Sequence, residues 1–532
     1  MPTPATVPAL LVAAAERFGD RPAIEDGDVR LGFRDLAAAA ERAARGFLAA
    51  GIAAGDRVGI WAPNISEWVV AALGLQSVGG VLVPLNTRMK GREVGYILAQ
   101  SRARILCTVE EFLGNRYVDL LRDGCGAATA TRPVADLPDL ERIVLLRGGA
   151  AGCQTWGDLL ASADAVSAAA VAGRAGAVRP DDLADILFTS GTTGKPKGVM
   201  STHAQNLRCF AAWSDIVGLR ADDRYLIVNP YFHSFGYKAG WLACLLRGAL
   251  NLPHPVFDVA QVLERIGRDR VSVLPGPPTL YQMILAHPER RRYDLSSLRL
   301  AVTGAAAIPV ELIRRLRDEL RLETIVTAYG LTEATGVVTM CRPEDDPETI
   351  ATTSGRAIPD VEVRCVDPSG AEVPRGTPGE IVVRGYNVMR GYFDDPAATV
   401  EAIDAAGWLH TGDVGVMDAR GYLRITDRLK DMFITGGFNC YPAEIESILL
   451  GCPGVGQVAV IGVPDERLGE VAMAFVVPQP GAAPTAATVI AWSRENMANY
   501  KAPRRVAIVD ALPLNATGKV TKFVLREHPA AR

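Results

Sequence analysis

No apolar run in this 532-residue chain reaches the roughly 18 residues that a membrane-spanning helix needs, so no transmembrane segment is expected. The start, Met1-Pro-Thr-Pro-Ala-Thr6, lacks a cationic stretch, and the apolar Leu10–Ala15 soon meets Glu16 and Arg17, which argues against a secretory signal. Charge of one sign is not in excess. The 60 acidic and 56 basic side chains leave a net charge of -4, well mixed along the chain. That balance excludes a basic nucleic-acid footprint and a polybasic membrane patch. The nine cysteines are odd in number, scattered and without CxxC spacing, as in proteins whose thiols stay reduced. Histidines number only six, and His233 has no acidic partner close in sequence, which argues against a metal centre built on it. Internal repeats are absent. The expectation is a soluble cytoplasmic protein without a nucleic-acid partner or stable membrane insertion.

Hydrophobic residues make up 49% of the chain, ample for large cores, and the length points to two or more domains. From about residue 180, short β-branched runs alternate with amphipathic stretches, which reads as α/β. Ile186-Leu-Phe188 enters the loop Thr189–Gly198, and Tyr225–Val228 leads into Asn229-Pro-Tyr-Phe-His233. Val271–Leu274 precedes Pro275–Pro278, and Leu298–Val302 precedes Thr303–Ala307, with Pro309 where a helix would begin. Ile325-Val326 leads into Thr327–Glu333. Ligands gather beyond the carboxyl ends of strands in open parallel sheets, so five motif-bearing loops after five strands predict one shared site.

Residues from Gly124 to Ala177, rich in Ala and Gly, read as surface helices and loops. The stretch from Gly379–Gly385 to Gly421–Thr426 reads as short strands and turns. After Asp427–Asp431 the pattern restarts, with strands at Val458–Val463 and Ala472–Val477 and helices at Ala443–Leu450 and Val489–Met497. A small C-terminal α+β domain is expected there.

The sharpest local signal is Thr189-Ser-Gly-Thr-Thr-Gly-Lys-Pro-Lys-Gly198. Its glycines let the backbone approach a ligand, while its hydroxyls and lysines supply donors, which is phosphate-binding chemistry. It is not a Walker A loop, because the GxxxxGK[ST] spacing is missing. The bland alternative is a solvated turn.

With this loop, the chain resembles the adenylate-forming superfamily of acyl-CoA synthetases, aryl-CoA ligases, luciferases and nonribosomal adenylation domains. The likeness runs from about Ala13 to Arg526. Thr189–Gly198 matches the phosphate loop, Tyr329-Gly-Leu-Thr-Glu333 the second signature, and Thr411-Gly-Asp413 the third. Asp427–Asp431 matches the hinge and Gly518-Lys519 the last motif. The resemblance implies a large N-terminal adenylation domain of several subdomains with parallel sheets over residues 1–427, a hinge at 428–432, and a small mobile C-terminal domain over 433–532. It also implies ATP, Mg2+ and coenzyme A, and an acid that is first adenylated and then passed to the CoA thiol.

The implied roles can be weighed residue by residue. Thr189, Ser190, Gly191, Thr192, Thr193, Gly194 and Lys195 would cradle phosphates. Gly304, Ala305 and Ala306 would lie along adenine, where small residues allow close approach, or serve as ordinary helix-entry packing. Tyr329 would stack on the base beside Gly330, though a lone Tyr is more often core. Asp413 suits the two ribose hydroxyls, or is a turn residue. Arg428 would contact ribose or phosphate, or form a surface ion pair. Glu333, with Thr193, would hold Mg2+, and Thr332 would donate to the α-phosphate; alternatively Glu333 is a surface acid. Lys519 would stabilise the charge that builds when a carboxylate attacks the α-phosphate, although on its own it is a typical exposed turn lysine. Lys430 falls at the hinge position, and Gly436-Gly437 would line the pantetheine path or form a plain loop. His233 matches an aromatic gate between the ATP and acid sites, fitted to positioning rather than proton transfer.

For the small-molecule carboxylic acid, the register brings forward His233, Phe235, Lys238, Ala239, Gly276, Pro277 and Tyr281, with Tyr237 and Thr279 beside them. Aromatic and small residues suit a bulky apolar body, and Lys238 is either a polar feature or a salt bridge. Asn229–Gly240, Leu274–Thr279 and Thr339–Asp346 resemble actinobacterial ligases of steroid degradation, which activate a propanoate on the bicyclic remnant of steroid rings C and D. Medium-chain and aromatic acids are the alternative substrates. Alternative activities are loading of a separate carrier protein, release of the adenylate itself, or oxidation of the luciferase type. Homodimers are common among the relatives, so a homodimer is one expectation.

Overall fold

The computed structural model describes residues 4–129, 132–189, 196–304, 308–428, 431–435, 438–440, 442–465, 467–497, 499–514 and 520–531, with Asp427, Arg428, Phe438 and Asn439 described in backbone only. The chain is an α/β protein with a C-terminal α+β domain. Its first sheet has eight strands, in the order Gly391–Tyr392, Lys197–Thr202, Leu183–Thr189, Val81–Pro84, Arg57–Trp61, Ala103–Val109, Arg142–Arg147, Gln154–Thr155. Pairing is parallel from Leu183–Thr189 outward to Gln154–Thr155, and antiparallel at the other edge. Helices cover it, so its central strands are buried on both faces, as Val81–Pro84 and Val58–Trp61 show.

A second run of strands joins Arg224–Ile227 through single bridges at Val273 to Leu300–Gly304 and then Thr324–Tyr329, all in parallel. The strand expected at Val271–Leu274 is therefore reduced to the one ladder residue Val273. Pro309 stands immediately before the helix Val310–Leu320, as its missing N–H allows. The region read as surface helices and loops contains a buried strand, Arg142–Arg147. Its four apolar residues are flanked by arginines and set among Ala and Gly, and only pairing with Ala103–Val109 makes them a strand.

A third sheet is antiparallel: Val361–Val366, Pro378–Gly385, Leu409–Met417 and Leu423–Arg428. The C-terminal sheet follows, with Phe433–Thr435, Phe438–Cys440, Val455–Asp465, Gly469–Pro478 and Arg505–Ile508. Its strands alternate strictly. Val460, Ala472, Ala474 and Val476 pack into one core with Ile445 and Val489. Ile461, Val463, Val471, Met473 and Phe475 form the other, with Leu512 and Leu525. Both faces are covered, so in the sequence Val458–Val463 and Ala472–Val477 read as continuous apolar runs, and the helices Pro442–Leu449 and Ala486–Asn496 fall where expected. No described helix is long and apolar enough to cross a membrane.

Two buried imidazoles tie distant segments to this frame. His203 opens the helix His203–Val217, and its Nδ1 accepts from Val7 N at 3.3 Å. Burial holds His203 down at about 4, and burial with the Arg265 guanidinium does the same to His254. Both are bases whose folded value lies below the ordinary 6.5. Each therefore favours folding fully above that value, and the contribution is lost as pH falls towards about 4. Thermal midpoints measured from pH 7 to pH 4 should fall along a limb worth up to about 1.4 kcal/mol per pH unit for each imidazole. His203→Asn should flatten that limb.

Candidate active site

The strand Leu183–Thr189 delivers Thr189 to the head of the phosphate loop, and Thr324–Tyr329 delivers the second signature to the same place. Thr189 Oγ1 lies 3.4 Å from Glu333 Oε1. Two sheets thus present their carboxyl ends to one cleft. Thr332 and Glu333 sit in the 3-10 turn Thr332–Ala334, both half-buried. The chain needs Gly330 here, because a Cβ at that position would stand 2.0 Å from the Gly336 carbonyl oxygen. Thr335, at a φ of 57°, donates through Oγ1 to Asn387 O at 2.7 Å and pins the far end of the turn.

Asp413 lies in Leu409–Met417 and is only 5% exposed. Tyr329 donates its hydroxyl to Asp413 Oδ2 at 2.5 Å. The aspartate's backbone is also fixed: its N–H donates to Thr411 Oγ1 at 3.1 Å, and Thr411 Oγ1 donates to Ile381 O at 2.7 Å. The structure therefore brings the second and third signatures into direct contact. Arg428 faces Asp413 in the ladder by its backbone. Gly304 ends Leu300–Gly304, where a Cβ would come within 2.9 Å of Ala328 O, so the two strand ends lie close.

His233 caps the short helix Ser234–Gly236, its Nδ1 accepting from Phe235 N at 3.2 Å, and its side chain is exposed. Gly236 is required because a Cβ would meet Pro230 O at 2.2 Å. This loop is held from the first sheet by the buried Asn64. Its amide donates to Ile227 O at 3.0 Å and Asn229 O at 2.9 Å, and its Oδ1 accepts from Tyr231 N at 2.7 Å.

On the acyl side, Phe235 is half-buried and Pro277 exposed, while Ala239, Gly276 and Tyr281 are buried. Tyr281 donates to Leu274 O at 2.6 Å, and burial pushes its phenol well above the usual range. Lys238 is read in the sequence two ways. Its side chain is fully buried, with Nζ 3.1 Å from Asp185 Oδ1 and donating to Ser201 Oγ at 3.1 Å. Of the two readings, polar feature or salt bridge, the salt bridge is the one the structure shows.

Ser190, Gly191, Thr192, Thr193, Gly194, Lys195, Ala305, Ala306, Lys430, Gly436, Gly437 and Lys519 lie outside the described residues. One contact of the site escaped the motif reading. Tyr392 donates its hydroxyl to Glu333 Oε1 at 3.1 Å. Burial and then the Glu333 carboxylate push that phenol far above its ordinary range, so it stays a donor. Among the described residues no three His, Cys, Asp or Glu side chains cluster as a metal cage. The cleft offers Glu333 as a carboxylate, the donor set suited to a hard ion that arrives on phosphates and keeps its waters.

This is the layout of an adenylate-forming enzyme. The AMP-binding enzyme family matches residues 11–393, and the AMP-binding enzyme C-terminal domain matches residues 444–519. The chain is 50% identical over 527 residues, covering 99% of both chains, to the 3-[(3aS,4S,7aS)-7a-methyl-1,5-dioxo-octahydro-1H-inden-4-yl]propanoyl:CoA ligase of Rhodococcus jostii (strain RHA1). It is 50% identical over 523 residues to the protein of the same name from Mycobacterium tuberculosis, covering 98% of each. Among solved structures, the anthranilate CoA ligase AuaEII in complex with anthranoyl-AMP matches with a TM-score of 0.84 at 28% identity, covering 100% of this chain and 98% of that one. The chain belongs to the AMP-binding enzyme family, in its ATP-dependent acyl-CoA ligase class.

Proposed function

We propose that this ligase activates the propanoate side chain of a bicyclic, steroid-derived hydrindane acid. The carrying observation is 50% identity along practically the whole chain to two ligases named for such an acid. In the first half-reaction a carboxylate oxygen bonds to the α-phosphorus of ATP, the bond to pyrophosphate breaks, and an acyl-adenylate results. In the second, the CoA thiol sulfur bonds to the acyl carbon, AMP leaves and the thiol proton passes to solvent.

In this reading Asp413, held by Tyr329, receives the ribose hydroxyls, while Gly304, Ala305 and Ala306 lie along the base. Thr189 to Lys195 hold the phosphates, Thr332 donates to the α-phosphate, and Lys519 balances the charge developing there. Glu333 and Thr193 would hold Mg2+, which when bound neutralises the departing pyrophosphate. His233 and Phe235 form the gate to the acid.

The proposed division is 1–427, a hinge at 428–432, and 433–532. It is supported by the ends of two sheets: Leu423–Arg428 closes one, and Phe433–Thr435 opens the other. Rotation at Arg428 to Lys430 would exchange the Lys519 face for the Gly436-Gly437 face. The setting is read as cytoplasmic, and a homodimer stays one expectation for the assembly.

AMP release should be measured with hydrindane propanoates, straight-chain fatty acids of graded length and benzoates. The expected result is a kcat/KM for the hydrindane acid at least about a hundredfold above the others. Strongest turnover on a straight-chain or aromatic acid overturns the substrate assignment. Without CoA the enzyme should accumulate acyl-adenylate, and thioester should appear only on its addition.

A further inference from the structure

Glu333 is held from two sides by one short segment that none of the signature motifs contains. Met389 N donates to the Glu333 carbonyl at 2.8 Å, and three residues later the Tyr392 hydroxyl donates to Glu333 Oε1 at 3.1 Å. Thr189 Oγ1 approaches the same oxygen at 3.4 Å. Among the described residues both side-chain donors meet Oε1, which leaves Oε2 for a ligand.

The segment is itself firmly laid. Phe393 N donates to Gly198 O at 2.7 Å and Arg390 N to Met200 O at 3.0 Å, which adds Gly391–Tyr392 to the edge of the eight-stranded sheet. Tyr392 N donates to Thr399 Oγ1 at 2.8 Å. Gly391, at a φ of 134°, makes this possible, because a Cβ would stand 2.7 Å from Thr399 Cγ2. The Lys197 ammonium lies 5.1 Å from the Tyr392 ring centre and braces the ring. Strap, ring and hydroxyl are thus fixed before any ligand arrives.

We infer that Tyr392 is a positioning residue for metal-nucleotide binding: its hydroxyl fixes Glu333 Oε1 so that Oε2 is presented to the divalent cation carried by ATP. The inference rests on the adenylation reading and on the part it gives to Glu333. A carboxylate free to rotate would offer either oxygen and lose that freedom on binding. A neutral phenol bonded to one oxygen removes that loss and keeps the other aimed.

The test is Tyr392→Phe in the full-length enzyme, which keeps the ring and its contact with Lys197. Mn2+ serves as a spectroscopic stand-in for Mg2+, with a non-hydrolysable ATP analogue. Electron paramagnetic resonance titration should show affinity for the Mn2+–nucleotide complex falling by about tenfold or more. The Mg2+ concentration that half-saturates adenylation should rise by a similar factor. Thioester formation from supplied acyl-AMP and the thermal midpoint should both hold. Unchanged Mn2+ affinity, or equal loss in both half-reactions, would mean that the tyrosine only braces the fold, and the inference falls. Glu333→Gln separates the two levels. If it leaves Mn2+ affinity intact, the metal role of Glu333 fails and the inference with it. If Glu333→Gln weakens Mn2+ and Tyr392→Phe does not, the inference about Tyr392 fails alone.

Discussion

Lys519→Ala should lower acyl-adenylate formation by about a thousandfold, the scale reached when a preorganised charge is removed from a developing anion. Thioester formation from supplied acyl-AMP should stay within about twofold of the parent enzyme, because there the new bond forms at the acyl carbon and not at the α-phosphorus, where Lys519 is proposed to act. The asymmetry follows from the proposed two faces of the C-terminal domain. In that proposal Lys519 would serve the first reaction and Gly436-Gly437 the second. Pyrophosphate exchange reads the first half-reaction, and thioester absorbance with synthetic acyl-AMP reads the second. Equal loss of both would sink the two-face mechanism. Lys519→Arg, which keeps charge but changes its shape, should recover part of the first activity.

How much of this was legible beforehand depended on whether the information is local. The apolar runs inside Val455–Asp465 and Gly469–Pro478 are local, so the sequence finds these strands, while which residue faces which core is known only once both faces are covered. The hydroxyl- and glycine-dense loop after Ile186-Leu-Phe188 is equally local, as is Gly330 in its signature. Contacts across the chain were not legible. Tyr329 and Asp413, 84 residues apart, each matched a signature, but nothing in either said that one would donate to the other. Tyr392, 59 residues from Glu333, looks in sequence like any strand tyrosine beside a glycine. Arg142–Arg147 becomes a strand only because a neighbouring edge accepts it.

Lys238 is the clearest case, because a charge in sequence announces neither its burial nor its partner. Lys238 and Asp185 are both fully buried, and Asp185 Oδ2 accepts from Asn206 Nδ2 at 2.6 Å. Removing one member leaves the other charged and unpaired in the core, so Lys238→Met should cost about 3–5 kcal/mol. A chain with several domains does not unfold in one step, so the effect is best read from the denaturant midpoint of the N-terminal transition and from amide exchange at Leu183–Thr189. That strand carries the phosphate loop, so nucleotide affinity should fall with it. Adding Asp185→Asn to Lys238→Met removes the stranded charge, keeps an amide for Asn206, and should restore at least half of the lost stability. If Lys238 met the acid instead, Lys238→Met would raise the KM for the acid, leave the midpoint alone, and gain nothing from the second change. The two outcomes differ in both stability and substrate dependence, so one pair of variants decides whether this lysine holds the strand beneath the phosphate loop or faces the substrate.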